Sequence, residues 1–271
     1  MHYLEHQPRP PLDQWVKCVW TLVDDATVGS VRPLQPIVPD GCIEIVFHFG
    51  DALSRLSEGS EVGQPHTLVV GQMTGPTLLR PGSNVRALGI RLLPWGGRVL
   101  FQMPICELTD RFLPVRELLP RFDSLADQLA AAPADERPRL AFSHLRKWLP
   151  VEPAGPLTKE LVRAIVGSGG RTTVRELAST VNATTRSVER VMNRDIGLPP
   201  LLFARIVRVQ KAIGRMRNEP PGRLGRIAMD CGYYDQAHFC RDFRQLSGMT
   251  PTQFVAADCG LTHAFAYGDT Q

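Results

Sequence analysis

Two kinds of hydrophobic periodicity divide this chain. Up to about residue 93 the apolar positions tend to alternate. Beyond that they recur every three or four residues. Over residues 42–49, Ile43, Ile45, Phe47 and Phe49 fall on one face and Cys42, Glu44, Val46 and His48 on the other, the period-two pattern of a strand. Residues 15–25 read as a second strand, with Trp15, Trp20 and Leu22 as core candidates. Residues 67–72 form a shorter one, and residues 78–80, the turn Pro81-Gly82-Ser83-Asn84 and residues 85–92 predict a β-hairpin. Pro33, Pro36 and Pro39 punctuate a loop that ends in Pro39-Asp40-Gly41, where proline fixes φ and glycine supplies a positive one. Residues 54–66 are polar and glycine-bearing and are expected to be a mobile loop. Helices are predicted over 95–101, 124–132 and 135–149, the last with Leu140, Leu145, Trp148 and Leu149 on one stripe. Pro150, Pro153, Gly155 and Pro156 then interrupt the pattern, and a domain boundary is expected there because such a connector cannot continue a helix.

Past that boundary the pattern repeats. Leu177-Ala178 returns 50 positions later as Ile227-Ala228. After the intervening turn the offset is 51, pairing Val188 with Phe239, Arg190 with Arg241, Met192 with Phe243, Gly197 with Gly248, Pro200 with Pro251 and Phe203 with Phe254. Each copy reads as a short helix, a turn, an amphipathic helix, a glycine stop and a proline restart, which is a helix-turn-helix twice over. Thr173-x-x-Glu176 is a capping box, and Thr184 and Asp235 are N-caps for the second helix of each copy. Val188, Val191 and Met192 point inward in the first copy, Phe239 and Phe243 in the second. The opposite faces carry hydrogen-bonding side chains, as a major-groove reader needs. A helix at about 199–217 joins the units, with Leu202, Ile206, Val209, Ile213 and Met216 on one stripe and Arg205, Arg208, Lys211 and Arg215 beside it. Nineteen helical residues span about 28 Å at ~1.5 Å each. Successive major-groove faces recur every roughly 34–36 Å, so this spacer could set two readers on one side of a duplex.

Charge sharpens the division. Residues 1–156 hold 15 Lys and Arg against 17 Asp and Glu, whereas residues 157–257 hold 16 against 8, a balance of +8. The segment 258–271 adds only Asp258 and Asp269. A basic region beside a mildly acidic one points to a polyanion partner for the first and a different task for the second. The 271 residues suffice for two modest domains. None of the six cysteines forms a C-x-x-C pair, so no zinc ribbon is indicated and free thiols are expected. No apolar run approaches the ~20 residues of a membrane span, and residues 1–11 lack a signal-peptide layout, so a cytoplasmic protein is expected. With no G-x-S-x-G, P-loop or H-E-x-x-H, no enzyme, cofactor or metal is expected.

The run Ile227-Ala228-x-x-Cys231-Gly232-Tyr233-x-Asp235-Gln236-x-x-Phe239-x-Arg241-x-Phe243-Arg244-x-x-x-Gly248-x-Thr250-Pro251 resembles the signature of the DNA-binding domain of AraC/XylS-family transcription regulators. The resemblance covers about residues 157–257. The first unit departs at Val188, where the family usually has Leu, and at Asn182, where Gly is common. Carried over by position, the resemblance implies base contacts from Arg186, Glu189 and Arg190, and from Gln236, Ala237 and Arg241. Thr185, Arg194, Arg205 and Arg244 would hold phosphates. Residues 38–50, with Val70-Gly71-Gln72, Gly89-Ile90-Arg91 and Pro94-Trp95-Gly96-Gly97, are similar to the N-terminal region of a poorly characterised group of AraC-like regulators. Sensor domains in the family are often cupin-like β-barrels that bind small effectors and dimerise.

The implied architecture is multidomain. A mainly-β, cupin-like domain spans 1–150 with helices from about 95, and a Pro/Gly linker spans 151–156. An all-α tandem helix-turn-helix domain spans 157–257, with units at about 172–197 and 223–248, and a tail covers 258–271. The implied partners are double-stranded DNA, a small-molecule effector, a second copy of the chain and, for an activator, RNA polymerase. Cys42, Glu44 and His48 share one strand face, and two readings stay open. One is an effector or metal site inside a barrel. The other, favoured, is a rim face with a hydrogen-bonded histidine. It is favoured because His2, His6 and His66 fall in poorly structured regions and His144 on a helix, so no second cluster completes a ligand set. The expected function is a sequence-specific DNA-binding transcription regulator reading two adjacent major-groove segments and controlled through its N-terminal domain. The alternatives are a metal-dependent enzyme or small-molecule sensor tethered to DNA, and a scaffold whose basic bundle binds protein.

Overall fold

The computed structural model describes residues 1–26, 32–150, 156–219, 222–257 and 260–261. The expected linker therefore lies outside the described residues as far as 155, as does the expected tail apart from 260–261. Ten strands come first: β1 (His2–His6), β2 (Val16–Asp25), β3 (Gln35–Ile37), β4 (Glu44–His48), β5 (Ser54–Ser57), β6 (Ser60–Gly63), β7 (Thr67–Val70), β8 (Thr77–Arg80), β9 (Asn84–Leu92) and, after a short helix, β10 (Phe112–Pro114). They form two antiparallel sheets, ordered β1-β2-β9-β4-β7-β10 and β3-β8-β5-β6.

The alternation seen in the sequence sorts side chains between two apolar layers. Ile43, Ile45 and Phe47 enter a core with Phe122, Leu125, Leu129, Ala141 and Leu145. Those residues come from α3 (Arg121–Ala131) and α4 (Arg137–Trp148), which follow α1 (Gly96–Phe101) and α2 (Val115–Leu118). On the other face Val46 joins Trp20, Leu22, Leu68 and Ala87 of the large sheet and Leu79 of the small one. The six-stranded sheet thus lies between helices and a second sheet.

Several expectations are corrected. Residues 78–92 are not a hairpin, because β8 and β9 lie in different sheets. β9 is buried on both faces and pairs with β2 on one side and β4 on the other, so no edge is left for β8. The turn between them is a corner from sheet to sheet, and Asp51 accepts hydrogen bonds there from the Asn84 amide (2.8 Å) and the Ser83 hydroxyl (3.1 Å). Residues 54–66 are not an irregular loop but the β5–β6 hairpin, turning at Glu58-Gly59, where both φ angles are positive (51° and 80°). Their polarity goes with an exposed β6 and a β5 that is only half-buried. β1 and β3 were not anticipated, and β1 places His2 and His6 on an edge strand.

The rest is helical: α5 (Pro156–Gly167), α6 (Val174–Thr180), α7 (Thr185–Ile196), α8 (Pro200–Asn218), α9 (Leu224–Asp230), α10 (Gln236–Ser247) and α11 (Pro251–Ala256). The stripe of α8 runs through Phe203, Ile206, Val209, Ile213 and Met216, while Leu202 is only half-buried. No described helix is long and apolar enough to cross a membrane.

Candidate nucleic-acid interface

Short polar side chains start the helices of the repeat. Thr173 Oγ1 accepts from the Glu176 amide (3.2 Å), and Glu176 accepts in return from the Thr173 amide (2.7 Å). That amide, with the Thr173 hydroxyl, holds the Glu176 carboxyl below its ordinary range. Thr184 Oγ1 accepts from the Ser187 amide (3.2 Å), and Asp235 Oδ1 from the His238 amide (2.6 Å). The turns match as well. Asn182 and Gly232 take the left-handed conformation (φ 48° and 81°), so Asn182 stands in for glycine, as asparagine can. Gly197 and Gly248 end the two reader helices at φ 86° and 79°. Residues 181–184 join α6 to α7 and residues 231–235 join α9 to α10, so the extra residue of the second copy sits in its turn.

Inside each unit the packing follows the sequence pattern, with Leu177, Ala178, Val188 and Met192 buried in one and Ile227, Ala228, Phe239 and Phe243 in the other. Phe243 meets Phe239 and Phe254 edge-on at ring distances of 5.5 and 5.3 Å. At two buried positions the copies exchange an aspartate for an aliphatic residue. Val191 corresponds to Asp242, and Asp195 to Leu246, so each unit carries one buried aspartate where the other has an aliphatic. Asp242 accepts from Arg205 Nε (2.6 Å) and the Tyr233 hydroxyl (3.2 Å). Asp195 accepts from the Thr158 hydroxyl (2.7 Å) and from Arg194 Nε (2.6 Å) and Nη2 (2.9 Å), and Arg98 of α1 stands 3.6 Å away. Burial pushes the Asp195 carboxyl up, but the hydrogen bonds from Arg194 and Thr158 outweigh it and hold the group below its ordinary range.

The outer faces carry the residues singled out from the sequence. Thr185, Arg186, Glu189 and Arg190 on α7, and Gln236, Ala237, Arg241 and Arg244 on α10, are all exposed. Arg194 is exposed too but engaged with Asp195, and Arg205 is half-buried, tying α8 to α10 through Asp242 and Gln245 (2.5 Å). Tyr234, on the turn before α10, is 87% exposed beside this face and was not anticipated.

The ends of the readers opposite their N-caps face the β-rich half. The Thr109 hydroxyl donates to the Gly197 carbonyl (2.7 Å), and a Cβ on Gly197 would stand 2.9 Å from Ile105 Cγ2. At the second reader a Cβ on Gly248 would only approach Pro76, at 3.4 Å. The Pro39-Asp40-Gly41 turn is gripped by α8. Gln210 Nε2 donates to the Pro39 carbonyl (2.6 Å), Val38 packs into the helical core, and Gly41 lies so close to the Phe203 ring that a Cβ would reach 2.6 Å. Gln210 was missed in the sequence, although a lone glutamine beside an apolar stripe is the signal that could have found it.

Cys42, Glu44 and His48 do share a side of the large sheet, but they divide between environments. Cys42 and Glu44 line a cavity between the sheets, together with Asp40 and Arg91. His48 does not line it, and its Nε2 lies 3.2 Å from Gln64 Oε1. Burial raises the Cys42 thiol and lowers His48 to about 4. Burial also raises Glu44, against the pull of Arg91. Among the described residues no group of three or more His, Cys, Asp or Glu could hold a metal ion.

Comparison with known proteins places these parts. Residues 4–114 match a family described as a domain of unknown function (DUF6597), and residues 177–257 match a helix-turn-helix domain family. An uncharacterized HTH-type transcriptional regulator of Haemophilus influenzae is 28% identical over 81 residues, covering 30% of this chain and 27% of that protein. The match thus spans about a quarter of the curated relative's length. ToxT from Vibrio cholerae superposes over 89% of this chain and 98% of its own, with a TM-score of 0.50 and 8% identity. A second ToxT structure, bound to (E)-4-(8-methylnaphthalen-1-yl)but-3-enoic acid, gives a TM-score of 0.49 at 8% identity over 88% of this chain and 98% of that one. The chain is a two-part protein that carries an AraC-type helix-turn-helix domain at its C-terminal end behind a β-rich domain of unknown function.

Proposed function

We propose that this chain is a sequence-specific DNA-binding transcription regulator whose units at about 172–197 and 223–248 read adjacent major-groove segments. The observation that carries this reading is the pair of exposed reader faces, on α7 and α10, in a region of net charge +8. Base edges are assigned to Arg186, Glu189 and Arg190 on one helix and to Gln236, Ala237 and Arg241 on the other, since Arg can bridge guanine and Gln adenine. Phosphates are assigned to Thr185, Arg194, Arg205 and Arg244. Arg194 and Arg205 already donate to Asp195 and Asp242, so a phosphate would take their remaining N–H groups. The working division is a controlling domain over 1–150, a linker over 151–156, the DNA-binding domain over 157–257 and a tail over 258–271. Control from the N-terminal domain is supported by the Gln210 and Thr109 contacts, which join it to the spacer helix and to the first reader. In this reading the protein is cytoplasmic and not an enzyme. It acts on double-stranded DNA in response to a small molecule, as a homodimer, with RNA polymerase as a partner if it activates.

The test is binding to selected and random duplexes across salt. Affinity should fall steeply with salt and favour the selected site. Arg241→Ala should cost about 1–3 kcal/mol and relax preference at one base pair. Equal affinity for both duplexes would overturn the proposal.

A further inference from the structure

One residue of the second turn has no counterpart in the first unit. Asn182 and Gly232 both take the left-handed conformation. One position later the Ala183 amide donates to the Ala178 carbonyl (2.9 Å) and the Tyr233 amide to the Ala228 carbonyl (3.0 Å), so Ala183 and Tyr233 match. The N-caps Thr184 and Asp235 match as well. The extra residue is therefore Tyr234. It is 87% exposed, and its hydroxyl makes no hydrogen bond among the described residues.

The turn fixes both neighbours of Tyr234. Tyr233 is buried, its hydroxyl donates to Asp242 (3.2 Å), and its ring lies 5.1 Å from that of Phe239 and 5.0 Å from the Arg208 guanidinium. Asp235 accepts from the His238 amide (2.6 Å). Arg171 packs so closely on the turn that a Cβ on Gly232 would stand 2.4 Å from its Cδ. Tyr234 thus projects into solvent from a braced turn, and a tyrosine has only two torsions to order on contact. In a helix-turn-helix the second helix enters the major groove and the first crosses the backbone, so the turn between them meets the duplex at the groove's edge. At that edge the first unit presents the exposed Thr185 hydroxyl as a donor. The second unit has the Asp235 carboxylate at the start of its reader, and that charge opposes a phosphate.

We propose that Tyr234 is a phosphate anchor of the second reader. Its hydroxyl donates to a backbone phosphate beside the half-site under α10, and its ring lies along the adjoining sugar. The contact is carried past the Asp235 carboxylate by a neutral donor on a rigid ring. Such a contact positions the reader and leaves base preference to the helix face. The inference rests on the reading of α7 and α10 as DNA readers.

The experiment is titration of the full chain with its selected duplex and a random one across salt, for wild type, Tyr234→Phe and Tyr234→Ala. Tyr234→Phe keeps the ring and isolates the hydroxyl. It should bind the selected duplex about tenfold more weakly, as for one lost hydrogen bond to a charged group, and Tyr234→Ala at least as weakly. The salt slope should stay that of the wild type, since no cation is removed. Site selection with either variant should return the wild-type sequence, which separates Tyr234 from Arg241. Melting temperatures should match the wild type, because the deleted atoms face solvent. Wild-type affinity in Tyr234→Phe would overturn the inference. A shifted base preference, or a loss of affinity that comes only with a loss of melting temperature, would do so too. Wild type binding both duplexes alike sinks the regulator reading itself, whereas wild-type discrimination with an unweakened Tyr234→Phe sinks this inference alone.

Discussion

Replacing Gln210 by leucine tests whether the two halves are held together as described. Gln210 is 3% exposed, and its Nε2 donates to the Pro39 carbonyl at 2.6 Å and approaches the Val38 carbonyl at 3.5 Å. Leucine keeps most of the volume and adds apolar contact with the surrounding helical core. It also removes the donor and leaves the Pro39 carbonyl without it in a buried position. An orphaned buried acceptor costs about 1–3 kcal/mol, and better apolar burial offsets under about 1 kcal/mol of that. The net loss should be about 1–2 kcal/mol. For a chain of this size each kcal/mol moves the midpoint by about 2–4 °C, so the melting temperature should fall by roughly 2–8 °C. Gln210→Glu should be worse, because a carboxylate would face two carbonyl oxygens without a donor to offer. Differential scanning calorimetry should therefore rank wild type above Leu and Leu above Glu. A leucine variant melting with the wild type, or a glutamate variant melting above it, would refute the argument.

Three further substitutions probe the ends of α7 and α10 and a buried histidine. Gly197→Ala combines a left-handed φ of 86° with a Cβ 2.9 Å from Ile105, whereas Gly248→Ala meets only Pro76 at 3.4 Å. Both should lose about 1–2 kcal/mol for the backbone, with Gly197→Ala the lower in urea midpoint. Equal midpoints would count against the docking of α7. His48 is held neutral by burial, with its pKa lowered from 6.5 to about 4. The unfolded chain takes up that proton below pH 6.5 and the folded chain only near 4, so stability present above 6.5 is lost as pH falls and the loss levels off below about 4. The loss amounts to at most about 3 kcal/mol. His48→Gln should flatten the urea-midpoint profile across that window, and an unchanged slope would show that other groups cause it.

The helical half was legible because its signals are local. Capping residues lie three positions from the amides they satisfy, and the stop glycines follow directly on their helices. A helix therefore announces itself within one window. The strand faces were legible for the same reason, and Ile43, Ile45 and Phe47 lie on the side the alternation assigned them. Pairing was not legible. Whether β9 meets β8 or β2 depends on residues far apart in the chain, such as Trp20 opposite Gly89, 69 positions on, and a turn composition cannot rank such partners. The β5–β6 hairpin escaped because exposed strands carry no apolar alternation. At the sites, the reader faces follow from helical period alone. The grouping of Asp40 and Glu44 with Arg91 needs two separate segments brought together, and only Glu44 stood out in the sequence as a site candidate.

The buried aspartates have a consequence for how an operator would respond. Asp242 is enclosed within the bundle by Arg205 and Tyr233, whereas Asp195, at the far end of α7, faces Arg98 across the boundary between the halves. The two units thus carry two different buried anchors, one held within the bundle and one that also faces the β-rich half. If the β-rich half controls the helical one as proposed, a displacement there would reach the duplicated pair through the shared contact. On a nuclease footprint the half-site under α7 would change its protection with the state of the N-terminal half. The half-site under α10 would keep its protection and serve as the fixed point from which the other is measured.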